Sequence, residues 1–242
     1  MRNSVLGALG WPALALASPL LADEGFAVPI DASFIEAHTA EFTINYRDAD
    51  GNLADGGKWT DEVVVDDDHL TRTVVRYTAE GVADLKRTIV ADRSSLRPRI
   101  LDQRFGPTLS GVMHVDYFEK RADQLLISSP TGNMRRIDAE FEHDVWELSL
   151  WGTLAMSFPF KAQTEFKLPT VSPDRKSARY VTFRIEGREY VEFDDERLEA
   201  VKVSIPDENW TFWVRKQAPY ILRIEHPAPG GLTAISTLSK VR

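Results

Sequence analysis

Hydrophobic and polar residues alternate along most of the 242-residue chain. Phe42, Ile44 and Tyr46, for example, are separated by single polar residues, and the same alternation returns toward the C-terminus. Side chains two positions apart lie on the same face of a β-strand, so the pattern predicts strands with one buried and one solvated face. The clearest segments are 63–65, 71–77, 85–90, 112–118, 181–185, 201–205, 210–214 and 220–225. They predict a mainly β fold with roughly ten or more strands in an antiparallel sheet.

One stretch, HDVWELSLWGTLAMSFPF at 143–160, departs from this alternation and contains no lysine or arginine. Asp144, followed three residues later by Glu147, resembles an N-terminal capping pair. Pro159 disfavours helical geometry in the residue before it and should end a helix there. The stretch therefore predicts a helix over Val145–Met156, roughly 18 Å long, which is too short to span a bilayer.

The predicted helix has two apolar faces, although a helix packed on one side of a sheet needs only one. One face carries Val145, Leu148 and Ala155, and the nearly opposite face carries Trp146, Leu150 and Leu154. We expect the first face to pack against the sheet. The second would either fill the remaining core or line a cavity.

A secretory signal peptide is predicted over residues 1–22. Arg2 supplies the positive charge, Val5–Leu14 the apolar region and Ala15-Leu16-Ala17 a cleavage motif, with a second possible cut after Ala22. An uncleaved membrane anchor is the alternative, but the apolar run barely reaches the roughly 20 residues that a span requires. We therefore predict a periplasmic protein with no transmembrane span in its mature chain. No proline- or serine-rich linker divides the rest, which predicts a single domain over 23–242.

Charge and composition narrow the function classes. The net charge of −8 and the pI of about 5.2 argue against nucleic acid and against an anionic membrane surface, since both favour basic patches. The chain has no cysteine, which excludes disulfides, thiolate catalysis and cysteine-based zinc sites.

Two acidic clusters lie between predicted strands. The segment 48–52 resembles a calcium loop, but Leu53 and Trp59 stand where that loop requires glycine and glutamate. A hairpin turn is the better interpretation. The run Asp66–Asp68 is likewise interpreted as a solvated turn rather than a metal site.

No catalytic constellation assembles from the sequence. His114 and Asp116 share one face of a strand, which favours simple polar pairing because no serine or lysine partner can be assigned. The segment 106–111 lacks the Gly-x-Ser-x-Gly order of a nucleophile elbow. The acidic residues of 186–196 are interpreted as a solvated hairpin. We predict no catalytic residues, no metal and no cofactor.

The segment Trp210–Val214 places its two tryptophans on opposite sides of a strand. Trp210 would share one side with Phe212 and Val214, and Trp213 would share the other with Thr211. One indole should therefore enter the core, while the other meets a second surface.

The chain also resembles a bacterial family of exported domains of unknown function, over about residues 40 to 238. The matching residues are Leu96 and Pro98, the helix segment ending at Pro159, Gly187, Glu189, Trp213 and the run Pro219–Leu222. The resemblance implies an antiparallel sheet curved into a half-barrel, with helical segments covering its concave face. That shape is similar to the periplasmic lipoprotein-localisation factors, whose concave face holds acyl chains.

These observations predict a carrier for an apolar, lipid-like ligand such as an acyl chain, held between the curved sheet and the short helix. The residues predicted to contact the ligand are Trp146, Leu150, Trp151, Leu154, Phe158 and Trp213. A filled interior would instead indicate a non-catalytic structural or protein-interaction module of the cell envelope. An enzyme is a third, less favoured class.

The signal sequence leads to a first prediction. In a Gram-negative host the mature protein should begin at Ser18 or Asp23 and fractionate with the periplasm. Intact-mass measurement of the purified protein checks this. Recovery of the whole chain, 1–242, from the membrane fraction would favour the anchor instead.

Overall fold

The computed structural model describes residues 30–118, 120–128, 132–161, 164–171 and 178–242. The predicted signal peptide, residues 1–22, lies outside this part of the chain. Within it, no helix combines the length and the apolar character needed to cross a membrane.

The described residues form fifteen strands and one α-helix. The strands are β1 (His38–Arg47), β2 (Leu53–Val65), β3 (His69–Tyr77), β4 (Ala83–Asp92), β5 (Pro98–Phe105), β6 (Gly111–Phe118), β7 (Arg121–Ser128), β8 (Asn133–Glu140), β9 (Trp146–Glu147), β10 (Glu165–Val171), β11 (Arg179–Phe193), β12 (Glu196–Ile205), β13 (Trp210–Val214), β14 (Ile221–Ala228) and β15 (Leu232–Val241). The helix, α1, is Trp151–Ser157.

All the strands belong to one sheet, in the order β8-β7-β6-β5-β4-β3-β2-β1-β15-β14-β13-β12-β11-β10-β9. Neighbours are antiparallel, except that β9 runs parallel to β10. The pairing of β1 with β15 joins the first and last strands, and the sheet remains open between β8 and β9. The predicted fold class, a large curved antiparallel sheet with a short helix on its concave face, is confirmed.

The inner face of the sheet holds the core. Phe42 on β1 lies opposite Trp59 on β2 and Leu238 on β15, and its ring stacks on Trp59 with centroids 4.1 Å apart. Phe42 is 1% exposed, whereas its neighbour Thr43 is exposed. The alternation in the sequence therefore corresponds to the two faces of the sheet.

The helix begins later than the sequence predicts. Trp146 and Glu147 pair in parallel with Thr170 and Val171 of β10, so the start of the predicted helix is extended. A 3₁₀ turn over Leu148–Leu150 follows before α1. The expected start at Val145 is wrong because pairing with a distant strand overrides the local helical preference.

The predicted end of the helix is confirmed. Phe158 directly follows α1 and is extended, with φ −69° and ψ 149°, as expected of a residue that precedes a proline. The predicted capping pair is wrong. Glu147 instead caps the 3₁₀ turn, where its carboxylate accepts the Ser149 backbone N–H at 2.5 Å. Asp144 forms an ion pair with Arg97 at 2.6 Å.

The burial of the leucines in this segment is the reverse of the prediction. Leu150 and Leu154, expected to border any cavity, are both 0% exposed, whereas Leu148, expected to face the sheet, is half-buried. The helical wheel fails because residues 146–150 are strand and 3₁₀ turn. A 3₁₀ turn has three residues per turn, so it rotates the following side chains to other directions.

Both acidic clusters are hairpin turns, as predicted. Asp48 Oδ1 accepts the backbone N–H groups of Asp50 at 3.0 Å and Asn52 at 2.8 Å. Asp66 Oδ1 accepts those of Asp68 and His69 at 2.9 and 2.7 Å. These carboxylates thus close tight turns through the local bonding that favours aspartate there.

The predicted pairing of His114 with Asp116 is also confirmed, with Nε2 and Oδ2 3.2 Å apart. Asp102 on β5 adds a second contact to Nδ1 at 2.6 Å. The hydrogen bond to Asp102, reinforced by both carboxylate charges, raises the pKa of His114. The side chain is 37% exposed, so this cluster belongs to the outer surface.

The different burial of Leu148 and Leu150 gives the second prediction. Leu150→Ala should lower the free energy of unfolding by about 2–5 kcal/mol, because it removes a fully buried side chain and leaves a void. Leu148→Ala, on the same turn, should cost about 1 kcal/mol or less because that side chain is already half-exposed. Urea unfolding of both variants checks the order. Equal losses would contradict this packing.

Candidate functional site

A cavity of about 320 Å³ lies between the inner face of the sheet and the residues that begin the helix. Its lining comes from β1–β4, β13–β15 and the segment 148–152. The lining residues are Ile44, Tyr46, Trp59, Arg72, Val74, Arg76, Leu85, Arg87, Leu148, Ser149, Trp151, Gly152, Trp210, Ile224, His226, Ala234 and Ser236.

Aromatic rings form much of the wall on the side of β13 and β14. The Trp210 ring stacks on His226, with centroids 4.4 Å apart and planes at 14°. It also meets the edge of Trp151, at 5.5 Å and 87°. This geometry holds three flat rings in fixed positions, while Trp210 remains half-exposed to the open space.

Arg72 and Asp61 form a buried ion pair beside the cavity, with side chains 7% and 4% exposed. Arg72 Nε lies 2.9 and 3.1 Å from the two carboxylate oxygens, and Nη2 donates to Oδ2 at 2.9 Å. Arg72 Nη1 donates to the Ser149 carbonyl oxygen at 2.7 Å. The pair therefore joins β2 and β3 to the segment that begins the helix.

Two further guanidinium groups lie on the same side of the cavity. Arg76 forms a bidentate pair with Asp84, at 2.9 and 2.8 Å, nearer the surface. Arg87 Nε donates to Gln103 Oε1 at 2.7 Å. In the part of the chain that the structure describes, Arg87 has no carboxylate within 4 Å. Burial lowers the pKa of Arg87, but a guanidinium remains protonated at neutral pH.

Burial also controls two other titratable groups. Desolvation raises the pKa of Glu147, which is 1% exposed and bonded to Ser149, although the positive charge of Arg87 opposes the shift. Desolvation lowers the pKa of His226, which favours the neutral ring. Its Nδ1 lies 2.9 Å from the Pro227 carbonyl oxygen and donates to it, so Nε2 of the neutral ring is an acceptor.

Of the six residues predicted to contact a ligand, Trp151 lines this cavity. Trp146, Leu150, Leu154 and Phe158 are instead core residues. Trp146 Nε1 donates to the Ser95 carbonyl oxygen at 3.0 Å, and the Phe158 ring stacks on a neighbouring phenylalanine at 4.3 Å. These four are held in the packed interior because the segment enters as a strand and a 3₁₀ turn.

The two tryptophans of β13 lie on opposite faces of the sheet, as predicted. Trp213, expected at the ligand, lies on the outer face, where Nε1 donates to Glu189 at 2.7 Å and Lys202 and Arg223 lie over its ring. Trp210 is the one that faces the cavity. Which face was inner depended on the curvature of the sheet, a property that the alternation does not encode.

Sequence reasoning missed the polar residues of the site. Arg72 lies between the inward Leu70 and Val74, and Arg87 between Leu85 and Ile89. A charge at the inward position of an alternating strand was the available signal, since a buried charge requires a partner or a function.

The fold and the cavity define a barrel-like β protein with an internal helix. The chain belongs to the DUF3108 family, described as a protein of unknown function, whose family model matches residues 41–235. The resemblance to a family of unknown function is thereby confirmed, whereas export and the likeness to lipoprotein-localisation factors stay predictions.

The solved structures that match the chain include two proteins from families of unknown function. A β-barrel-like protein of the domain of unknown function DUF1849 from Brucella abortus is 11% identical, with coverage of 89% of this chain and 99% of that chain and a TM-score of 0.56. A DUF1329 family protein from Desulfovibrio piger is 10% identical, with coverage of 89% and 93%, but its TM-score of 0.27 supports no structural conclusion. No curated protein matches. The first similarity supports the fold alone.

The buried pair gives the third prediction. Asp61→Asn should lower the free energy of unfolding by an amount near the lower end of roughly 3–5 kcal/mol, because it leaves Arg72 charged, buried and unpaired. Asp84→Asn removes the partner of Arg76, whose side chain is 45% exposed, and should cost about 0–1 kcal/mol. Thermal and urea unfolding compare the two. A loss at Asp84 as large as that at Asp61 would contradict this ranking.

Proposed function

We propose that this protein is a periplasmic carrier for an apolar, lipid-like ligand, which it holds in the cavity beneath the start of the helix. The observation that carries the proposal is a cavity of about 320 Å³, bordered largely by aromatic and aliphatic side chains. Ligand sites in proteins typically have volumes of roughly 300–1,000 Å³ and combine such walls with a few placed polar groups.

Half-exposed apolar groups inside a curved sheet support this proposal. Leu148 and Trp210 border the cavity without being covered, although other apolar side chains of the same face are fully buried. Leaving apolar surface in contact with water costs roughly 25 cal/mol per Å². A ligand that covers these side chains would recover that free energy.

Carriage rather than catalysis is the proposed role, and the periplasm is the proposed compartment. The signal-like composition of residues 1–22 supports export. An apolar molecule that crosses an aqueous compartment needs shielding from water, which a recessed, aromatic-lined space would provide in part. A structural or interaction module of the cell envelope is the alternative to be excluded.

A neutral dye tests the proposal without assuming a charged ligand. Phenylnaphthylamine, whose emission rises in apolar surroundings, should bind the purified mature protein with a saturable increase in emission. Val74→Phe should weaken this binding by about tenfold or more, because the larger ring occupies cavity space. Dye titration of each variant gives the dissociation constants.

The neighbouring residue on β3 gives a matched control. Val75 faces the outer side of the sheet, so Val75→Phe should leave dye binding unchanged. Both variants should show wild-type melting curves within a few degrees. Absence of dye uptake by the wild type, or equal effects of the two substitutions, would overturn the carrier proposal and favour a structural module.

A further inference from the structure

Resting on the proposed function, we infer that the ligand is an anionic amphiphile whose carboxylate or phosphate head group binds Arg87. Its apolar tail would lie against the aromatic wall formed by β13 and β14. The head-group chemistry follows from the charges around the cavity, and the tail from its apolar lining.

The lining has a charge opposite to that of the whole chain. The protein has 37 acidic and 29 basic residues, yet no aspartate or glutamate is among the described residues that line the cavity. Arg72, Arg76 and Arg87 all line it. Asp61 and Asp84 compensate Arg72 and Arg76, so Arg87 carries the remaining positive charge of this wall and favours an anion over a cation.

Arg87 differs from the other two arginines because it has hydrogen-bond donors that no carboxylate engages among the described residues. The donors of Arg72 are engaged by Asp61 and Ser149, and Arg76 is engaged by Asp84. Arg87 uses Nε toward Gln103, which leaves the two terminal nitrogens without a carboxylate within 4 Å in the described chain. Those nitrogens can bind a planar carboxylate or a phosphate through two parallel hydrogen bonds.

The groups around Arg87 do not satisfy its charge. Glu147 is the carboxylate that acts on it most strongly, but that side chain is buried and already accepts the backbone N–H of Ser149. The other charged neighbours, Arg72 and Arg76, are cations and repel it. A guanidinium in partly desolvated surroundings is costly without an anion, so a ligand head group would lower the free energy of this site.

A second donor without a partner belongs to Trp151, a residue that lines the same cavity. The indole Nε1–H of Trp151 is buried and has no hydrogen-bond acceptor among the described residues. Trp151 also lines the cavity and is 2% exposed. A buried donor without a partner is uncommon in native structures, and a ligand oxygen would satisfy it.

Competition against the neutral dye separates head group from tail. Dodecanoate, dodecyl phosphate, dodecanol and dodecyltrimethylammonium have the same tail and differ in charge. The two anions should displace the dye at concentrations roughly 10- to 100-fold lower than dodecanol, because a hydrogen bond to a charged group contributes more than a neutral one. The cation should compete least. A preference between the two anions would identify the source of the head group.

Substitution then locates the effect at Arg87. Arg87→Met should remove the preference for the anions and leave dodecanol unchanged, whereas Arg87→Lys should retain part of it. Arg104→Met on the outer face of β5 is the control, because Arg104 is exposed and should leave every affinity unchanged. If Arg87→Met fails to fold, the comparison of the four amphiphiles on the wild-type protein still tests whether the site prefers an anionic head group.

The outcomes separate this inference from the proposed function. Binding of dodecanol and the anions with equal affinity would overturn the anionic head group and leave an apolar carrier in place. An unchanged preference in folded Arg87→Met would overturn the assignment to Arg87. Failure of the dye and of every amphiphile to bind would overturn both the carrier and this inference.

Discussion

The buried contact of Arg72 with Asp61 and with the Ser149 carbonyl oxygen is the interaction on which the interior depends. It joins two neighbouring strands to a segment about 77 positions away in sequence. The strands of this open sheet bury one another's edges, but they cannot by themselves fix what occupies the concave face. Because a buried charge is stable only with its partners in place, the ion pair fixes the position of the chain that enters the interior.

The extended residues before the helix set the position of this segment in the interior. Trp146 and Glu147 complete the edge of the sheet beside β10, and the 3₁₀ turn after them presents the Ser149 carbonyl to Arg72. The helix then has only Trp151–Ser157 to fill the concavity, and all seven residues are buried. A packed region at the end of the helix and an open cavity at its beginning therefore follow from the same late helix start.

The sequence predicts what local rules determine. Alternation identified β1–β4, β6 and β11–β14 among the fifteen strands, and Pro159 identified the end of the helix, because both signals depend on residues that are close in the chain. The start of the helix could not be predicted from local sequence, since it depends on the pairing of β9 with β10 about 24 positions away. The same limit applies to Trp213: its separation from Trp210 was predictable, but which of the two faces was inner depended on the assembled sheet.

The cavity residues show that a charged residue at an inward position of an alternating strand is as informative for predicting a site as an apolar one. The apolar residues of 143–160 led to the prediction that Leu150 and Leu154 contact a ligand. Both side chains are instead closely packed in the core. Arginines on β3 and β4 occupy inward positions where an aliphatic residue would pack without electrostatic cost. Replacing a buried charge and its partner with apolar groups of similar volume is often neutral or stabilising. Arg72 is accounted for by its contacts with Asp61 and Ser149, whereas Arg87 has no carboxylate within 4 Å among the described residues, and the proposed head group would supply an anion there.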